Sequence, residues 1–154
     1  MRQKLSDSLE DYLEAIFNLT NGLKKEARSK DIADRLCVSR ASVTGALRLL
    51  KERGLANYVP YGTITLTPTG RRRAAEVAGK HSVLKTFFTN VLGVDHESAQ
   101  KGACRAEHAL GQEIIDRLMC FTQFIESDGS RRLAIREFQG FWEDCRKDMN
   151  RKRS

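Results

Sequence analysis

The sequence predicts a mostly helical protein, in which three helices and a β-hairpin are followed by an all-helical region. Apolar residues recur at three- and four-residue spacing along most of the 154-residue chain, which contains only two prolines. One segment, near residues 55–67, is instead rich in β-branched and aromatic residues around the turn Pro60-Tyr61-Gly62. The chain therefore combines a small amount of strand with many helices.

The N-terminal region predicts three helices. Residues 7–21 form an amphipathic pattern, with apolar side chains at 9, 12, 13, 16, 17 and 19, and the helix should end at Asn21-Gly22. Residues 29–36 predict a short helix with Ser29 as its N-cap. After a three-residue connection, residues 40–54 predict a third helix closed by Gly54.

The rest of the chain predicts helices only. Thr67 and Pro68 suit the N-cap and first turn of a long helix after the hairpin. Asp95 can cap a helix that runs to about Leu110, and two further helices are expected near 111–125 and 130–150. The domain boundary is expected inside the long helix, which gives domains of 1–73 and 74–154.

The positive charge is concentrated in one segment. The formal net charge is +7, yet residues 22–80 alone hold 13 Lys and Arg against 5 Asp and Glu. Such a region is typical of proteins that bind a polyanion, and it favours nucleic acid over a membrane, although charge alone does not exclude a solvated face. Without a secretory or membrane-spanning segment, and with four cysteines that form no CxxC pair, a cytoplasmic location is expected.

Two helices joined by a tight turn and followed by a hairpin predict a winged helix-turn-helix. In that motif the second helix enters the DNA major groove, and the hairpin reaches the flanking backbone. Gly45 would permit close approach to DNA, and the arginines at 71–73 are candidates for phosphate contacts. The alternative is a helix-turn-helix without DNA. The candidate DNA contacts are Arg28, Lys30, Ser39, Arg40, Ala41, Ser42, Thr44, Gly45, Arg48, Lys51 and Tyr61.

A second constellation has the side chains of a metal site. Cys104, Glu107 and His108 have i, i+3, i+4 spacing, which would place all three on one face of a helix. Asp11 and Glu14 form a similar pair on the first helix, and His81 lies on the long helix. Sulfur, nitrogen and oxygen donors together suit a divalent transition metal. Spacing alone does not bring the three segments together, so solvated acids and a buried cysteine stay open as the alternative.

Several motifs together resemble one family. From "LEDYLEAIF" through the helix-turn-helix, "TLTPTGRRRA", "KHSVL" and "ACRAEHAL", the chain resembles the diphtheria toxin repressor/manganese transport regulator family over about residues 5–125. The resemblance implies a metal-activated winged-helix repressor with an all-helical dimerisation domain. It also implies a homodimer that binds a palindromic operator and controls metal-homeostasis genes, and a short form without the SH3-like domain.

By that resemblance, five residues fall on metal-binding positions of the manganese-type members, and Cys104 falls on the thiol of the iron-type members. The five are Asp11, Glu14, His81, Glu107 and His108. The iron-type ancillary site is disfavoured, because Lys85 and Gln100 occupy two of its ligand positions. The thiolate favours Fe(II), with Mn(II) a close second, and Zn(II), Co(II) and Ni(II) are expected to bind in vitro.

Two other functions are compatible with parts of the sequence. A winged-helix regulator could respond to oxidation or an organic ligand, with Cys104 as the sensor thiol. A small metallohydrolase would use a carboxylate-rich site to activate water, but the sequence offers no separate general base and no substrate pocket. We therefore expect no enzymatic activity, no small-molecule substrate and no membrane partner.

Overall fold

The computed structural model describes residues 5–21 and 26–153, and this part of the chain forms seven α-helices and one two-stranded sheet. The mostly helical fold with a β-hairpin is confirmed. Two compact units are present, Met1–Gly79 (the N-terminal unit) and Lys80–Ser154 (the C-terminal unit). The elements in chain order are α1 Asp7–Thr20, α2 Ser29–Leu36, α3 Arg40–Glu52, β1 Ala56–Asn57, β2 Thr65–Leu66, α4 Pro68–Thr86, α5 His96–Ala106, α6 Gln112–Glu126 and α7 Gly129–Arg153.

Helices α1, α2 and α3 surround one apolar core in the N-terminal unit. Leu13, Ile16, Ile32, Leu47 and Leu50 are among its fully buried side chains. Their three- and four-residue spacing is the reason that each segment folds as a helix with one buried face. Helix α1 ends at Thr20 with Asn21 as its C-cap, close to the predicted end, while Gly22 lies outside the described residues.

The start of α2 differs from the prediction by one residue. Arg28, in extended backbone, is the N-cap, and Ser29 is the first helical residue. The Arg28 N–H donates to the Asp31 carboxylate at 3.3 Å. Extended backbone is imposed just before this point, because Ala27 exchanges two backbone hydrogen bonds with Ile64 (3.0 and 2.8 Å). The sequence-based choice of Ser29 as N-cap was therefore wrong, since a long-range backbone pairing fixes the helix start.

The turn between α2 and α3 is closed by local chemistry. Cys37 adopts the left-handed conformation, with φ of 54°, and its N–H donates to the Ala33 carbonyl. Ser39 then caps α3 by accepting a hydrogen bond from the Ser42 N–H at 3.1 Å. The left-handed Cys37 thus ends α2, and the Ser39 cap begins α3 two residues later.

The hairpin is short and anchored in the core. Ala56 pairs with Leu66 and Asn57 with Thr65 in antiparallel register. Its loop turns at Tyr61, which has φ of 64°, and the Gly62 N–H donates to the Val59 carbonyl at 2.9 Å. The predicted hairpin and its turn are confirmed, and buried side chains of Leu55, Tyr58 and Ile64 hold it against the helices.

Helix α4 begins directly against the segment before the hairpin. As predicted, Thr67 caps it: its hydroxyl accepts from the Gly70 N–H at 3.0 Å and donates to the Gly54 carbonyl at 2.7 Å. This cap draws Gly70 so close to Leu55 that a Cβ added at Gly70 would lie 1.8 Å from the Leu55 carbonyl oxygen. Only glycine fits here, because the neighbouring atom belongs to the backbone.

We expect Gly70→Ala to destabilise the N-terminal unit by about 3 kcal/mol or more, because backbone must move to admit the methyl group. Thermal unfolding of the variant checks this. Gly79→Ala is the matched control, since Gly79 lies in the same helix and an added Cβ there would meet nothing within 4 Å in the part of the chain that the structure describes. It should stabilise the protein by about 0.5–1 kcal/mol. Equal melting temperatures for the two variants would contradict the close approach.

In the C-terminal unit, α4 passes into a π-helical turn, Phe87–Val91, before α5. Asp95 caps α5 as predicted: its carboxylate accepts from the Ser98 N–H at 2.9 Å, and this hydrogen bond lowers the pKa of Asp95. Leu84, Ala103 and Ile115 form the buried cluster of this unit.

No helix in the described ranges is long and apolar enough to cross a bilayer.

Helix α5 ends earlier than the sequence predicts, at Ala106 instead of about Leu110. The Ala109 and Leu110 N–H groups both donate to the Ala106 carbonyl at 3.0 Å, which closes the chain into a tight turn before Gly111. Glu107 and His108 therefore occupy the turn that ends the helix. The expectation that they lie within a continuous helix is corrected accordingly. The predicted domain limits of 1–73 and 74–154 stay a prediction.

Candidate metal centre and nucleic-acid interface

A basic groove of about 540 Å³ lies in the N-terminal unit between α3 and the hairpin. Among the described residues that line it, four are cationic and none is acidic, so the groove attracts a polyanion. The hairpin contributes the buried Tyr58 and the exposed turn residues Pro60, Tyr61 and Gly62 to its lining. The groove is lined by Arg28, Ser29, Lys30, Arg40, Thr44, Arg48, Tyr58, Pro60, Tyr61, Gly62 and Thr63.

Six of the eleven sequence-predicted DNA contacts line this groove: Arg28, Lys30, Arg40, Thr44, Arg48 and Tyr61. The other five, Ser39, Ala41, Ser42, Gly45 and Lys51, are exposed on α3 or at its cap. The arginines at 71–73 do not line the groove, and the Arg71 guanidinium lies 5.9 Å from the Phe17 ring centroid.

Sequence reasoning missed five groove residues, Ser29, Tyr58, Pro60, Gly62 and Thr63. The turn Pro60-Tyr61-Gly62 carried a signal for two of them, since a hairpin tip beside a recognition helix projects toward the same ligand. Ser29, Tyr58 and Thr63 had no such signal, because their position depends on how the hairpin packs.

The C-terminal unit holds a buried carboxylate between two imidazoles. Glu107, only 1% exposed, has Oε2 at 2.6 Å from His81 Nδ1 and Oε1 at 3.3 Å from His108 Nε2. His81 is itself 8% exposed. A buried charge is costly unless it is paired or coordinates a metal, so this arrangement needs the partners that surround it.

Cys104 lies beside this carboxylate. It is half-buried on the last turns of α5, and its sulfur comes within 4.8 Å of a Glu107 oxygen. The His81 ring is closer still, with Nδ1 at 2.6 Å from Glu107 Oε2. The structure thus brings together the four predicted ligands of the C-terminal unit: His81, Cys104, Glu107 and His108.

Asp11 and Glu14 belong to the N-terminal unit. They lie one turn apart on α1, and both are half-buried. The Asn18 amide donates to the Glu14 carboxylate at 3.5 Å. The pKa of the neighbouring Tyr12 is raised by burial and, to a lesser degree, by the negative charge of Asp11. Their participation in a centre with the other four residues stays a prediction.

The donors of the C-terminal cluster fit a divalent transition metal. Imidazole nitrogen, carboxylate oxygen and thiolate sulfur are ligand types that first-row divalent ions accept together, whereas Ca²⁺ and Mg²⁺ prefer oxygen alone. Burial also excludes competing water from the carboxylate. The residues present therefore suit a metal of this class, and their donor set does not by itself select one ion.

Comparisons with known proteins match two domain models to this chain. The model of the iron dependent repressor N-terminal DNA binding domain matches residues 4–64, and that of the iron dependent repressor metal binding and dimerisation domain matches residues 67–132. The chain belongs to the iron dependent repressor family. The predicted family is thereby confirmed. Both domains that define the family are present in this one chain.

Three relatives are similar to this chain over most of their own length. An uncharacterized HTH-type transcriptional regulator of Methanocaldococcus jannaschii is 36% identical over 119 residues, which cover 77% of this chain and 95% of the relative. The regulator MntR of Salmonella typhimurium is 36% identical over 115 residues, covering 75% and 72%. MntR of Geobacillus kaustophilus is 33% identical over 132 residues, covering 86% and 92%.

Solved repressor structures share the fold. A manganese-dependent transcriptional repressor in complex with manganese superposes with a TM-score of 0.69 at 30% identity, covering 75% of this chain and 53% of that one. The IdeR protein of T. acidophilum superposes with a TM-score of 0.65 at 29% identity, covering 77% and 54%. The chain thus spans about half the length of these two solved proteins.

Proposed function

We propose that this family member is a metal-dependent repressor that binds operator DNA as a homodimer and controls metal-homeostasis genes. The observation that supports it best is the buried Glu107 carboxylate, held between His81 and His108 beside Cys104. The same chain carries a basic groove against its recognition helix. A repressor whose DNA binding depends on metal needs both a metal site and a DNA-binding surface.

The proposed ligand set is Asp11, Glu14, His81, Cys104, Glu107 and His108. Asp11 and Glu14 are included because they are half-buried acids on the helix that belongs to the DNA-binding unit. Fe(II) is the proposed physiological ion, with Mn(II) a close second, because a thiolate favours the softer ion while three carboxylates favour the harder one. When bound, the ion supplies a cross-link between the helices that hold its ligands.

The residues of the cluster prepare it for this role. Glu107 shares a hydrogen bond with the Nδ1 side of the His81 ring, which fixes the ring's orientation. The turn after Ala106 holds Glu107 and His108 next to each other, while α5 presents Cys104 one turn earlier. Burial keeps water from the carboxylate, so its charge acts on a bound cation with little screening.

The homodimer is proposed from the apolar surface of the C-terminal unit. Val83, Phe88 and Leu118 pack on the buried cluster of the unit itself, so they are used within the chain. Other large apolar side chains of α6 and α7 are well exposed, more than the scattered single residues that a monomer tolerates. They include Ile114, Met119, Phe121, Phe124, Leu133, Phe138, Phe141 and Trp142.

Metal and DNA are proposed to favour the same conformer. Ligands from α1 and from the C-terminal unit, joined by one ion, would restrict the spacing of two recognition helices in a dimer. Only some spacings match half-sites about one helical turn of DNA apart. Because the metal ion and the DNA favour the same conformer, each should tighten the binding of the other by the same factor.

The experiment is a DNA-binding titration under anaerobic conditions with Fe(II), Mn(II) or Zn(II), and with a chelator as control. Duplexes enriched from a random library serve as the probe. We expect binding with at least one metal to be about 100-fold tighter than with chelator. Equal binding in every condition would contradict the proposal. Metal-independent binding that peroxide abolishes would support instead the redox regulator with Cys104 as its sensor.

Groove cations are expected to act on affinity without selecting sequence. Arg28→Ala and Lys30→Ala should each weaken binding to all duplexes and reduce the slope of log K against log salt by about 1. Anisotropy titrations at several salt concentrations measure this slope. Arg132→Ala is the control, because Arg132 is exposed on α7 and does not line the groove. An unchanged slope for Arg28→Ala would show that the groove does not hold a phosphate.

A further inference from the structure

Helix α3 offers few side chains for base recognition. Its buried face consists of Val43, Ala46, Leu47 and Leu50. The remaining positions are available to the groove or to solvent. Arg40, Thr44 and Arg48 line the groove at i, i+4, i+8 spacing and therefore share one face. Any sequence-specific hydrogen bond from this face comes from these three residues.

The hydroxyl groups of α3 are engaged locally. Thr44 Oγ1 donates to the Arg40 carbonyl at 3.0 Å, within the helix itself. Ser42 Oγ lies 2.8 Å from Ser39 Oγ, at the cap. Lys51 is in the last turn and acts as a point charge. Arg40 and Arg48 are thus the two groove-lining side chains of α3 that carry several donors, and both residues are exposed.

Gly45 lies between the two arginines, and the fold does not require it. It is exposed, its φ is not in the left-handed region, and no atom of the described residues lies within 4 Å of an added Cβ. Alanine would be the better helix former at this position. A glycine there makes physical sense if another molecule approaches the helix backbone at that point.

We propose that Arg40 and Arg48 are the specificity-determining residues of α3 and that each recognises a guanine in the major groove, with Gly45 giving the clearance. This inference rests on the proposed DNA-binding function. Arginine matches the O6 and N7 acceptors of guanine with two hydrogen bonds, which lysine does not reproduce with the same geometry. The two residues are two helical turns apart, about 12 Å. Each operator half-site should therefore contain two guanines about two to four base pairs apart.

The test is selection from a random duplex library with the full-length protein, loaded with Mn(II), Fe(II) or Zn(II) in separate arms. We expect two guanines in each half-site of the enriched sequences. Arg40→Lys and Arg48→Lys should each lose one guanine preference, with affinity for the enriched duplex lowered about 5- to 150-fold. Because the charge is kept, affinity for an unrelated duplex and the salt slope should not change.

Gly45→Ala gives an independent measurement. It should raise the melting temperature by about 2–4 °C yet weaken binding to the enriched duplex at least tenfold. Gly79→Ala is the matched control, since Gly79 is an exposed helical glycine of α4 that does not line the groove, and no described residue lies within 4 Å of an added Cβ. It should raise the melting temperature similarly and leave DNA binding unchanged.

Different failures are distinguishable. Enriched duplexes without paired guanines, or an Arg48→Lys variant that selects the same sequence with the same affinity, would overturn this inference and leave the repressor function standing. Gly45→Ala with undiminished affinity would overturn the proposed clearance. If no duplex were enriched with any of the three metals, both the inference and the proposed function would fail.

Discussion

Glu107→Gln is expected to abolish metal-dependent DNA binding while the fold is retained. Glutamine has nearly the same volume, and its amide oxygen can still accept a hydrogen bond from His81, which now lies 2.6 Å from the carboxylate. What it removes is the anionic ligand. Because loss of a residue that only supports a ligand costs about 10–100-fold in metal affinity, loss of this proposed ligand should cost at least 100-fold. Competition with a chelating indicator measures the affinity, and thermal unfolding with chelator checks the fold.

The control for this variant is Glu113→Gln, which alters an exposed glutamate that pairs with Arg117 on α6. It should leave metal and DNA binding unchanged. Glu107→Ala is less informative, because removing one partner of a buried charge pair costs about 3–5 kcal/mol by itself. If Glu107→Gln bound metal as tightly as the wild type, Glu107 would have a structural role only, and the proposed metal centre would lose its central ligand.

Cys104→Asp is expected to change metal selectivity more than it changes total affinity. The thiolate is the softest of the proposed ligands, so its replacement by a carboxylate should favour Mn(II) over ions that prefer sulfur. We expect the ratio of Zn(II) to Mn(II) affinity to fall at least tenfold. Competition titrations give the ratio, and the thiolate-to-metal charge-transfer absorption of the Co(II)-loaded protein should disappear in the variant.

The comparison variant is Cys120→Ser, which changes an exposed cysteine of α6. It should keep both the Co(II) absorption and the affinity ratio of the wild type. A wild-type protein that shows no such absorption, together with an unchanged ratio in Cys104→Asp, would remove Cys104 from the ligand set. The site would then follow the manganese-type pattern through its oxygen and nitrogen ligands.

Much of the fold follows from local sequence signals. The spacing of Leu13, Ile16, Leu47 and Leu50 predicted buried helix faces, and Thr67 and Asp95 predicted caps that the structure confirms. Prediction failed where a distant segment decides the local conformation. The start of α2 depends on the pairing of Ala27 with Ile64, 37 residues away in the chain. The capping preference of a single residue carries no information about that distant contact.

The candidate site shows the same limit. The spacing of Cys104, Glu107 and His108 indicated that they could act together, but it assigned them to a continuous helix that in fact ends at Ala106. The contact between His81 and Glu107 joins residues 26 positions apart and depends on the packing of α4 against α5. Groove residues such as Tyr58 and Thr63 likewise owe their place to hairpin packing. Periodicity predicts which face is buried and does not predict which faces meet.

The central claim is that metal at the proposed site and DNA at α3 favour one conformer. The most direct measurement is the metal affinity of the same protein preparation with and without a saturating enriched duplex. Linkage requires the duplex to tighten metal binding by the factor by which metal tightens DNA binding, and we expect a change of about 100-fold in each. A metal affinity that is identical with and without the duplex would contradict the account.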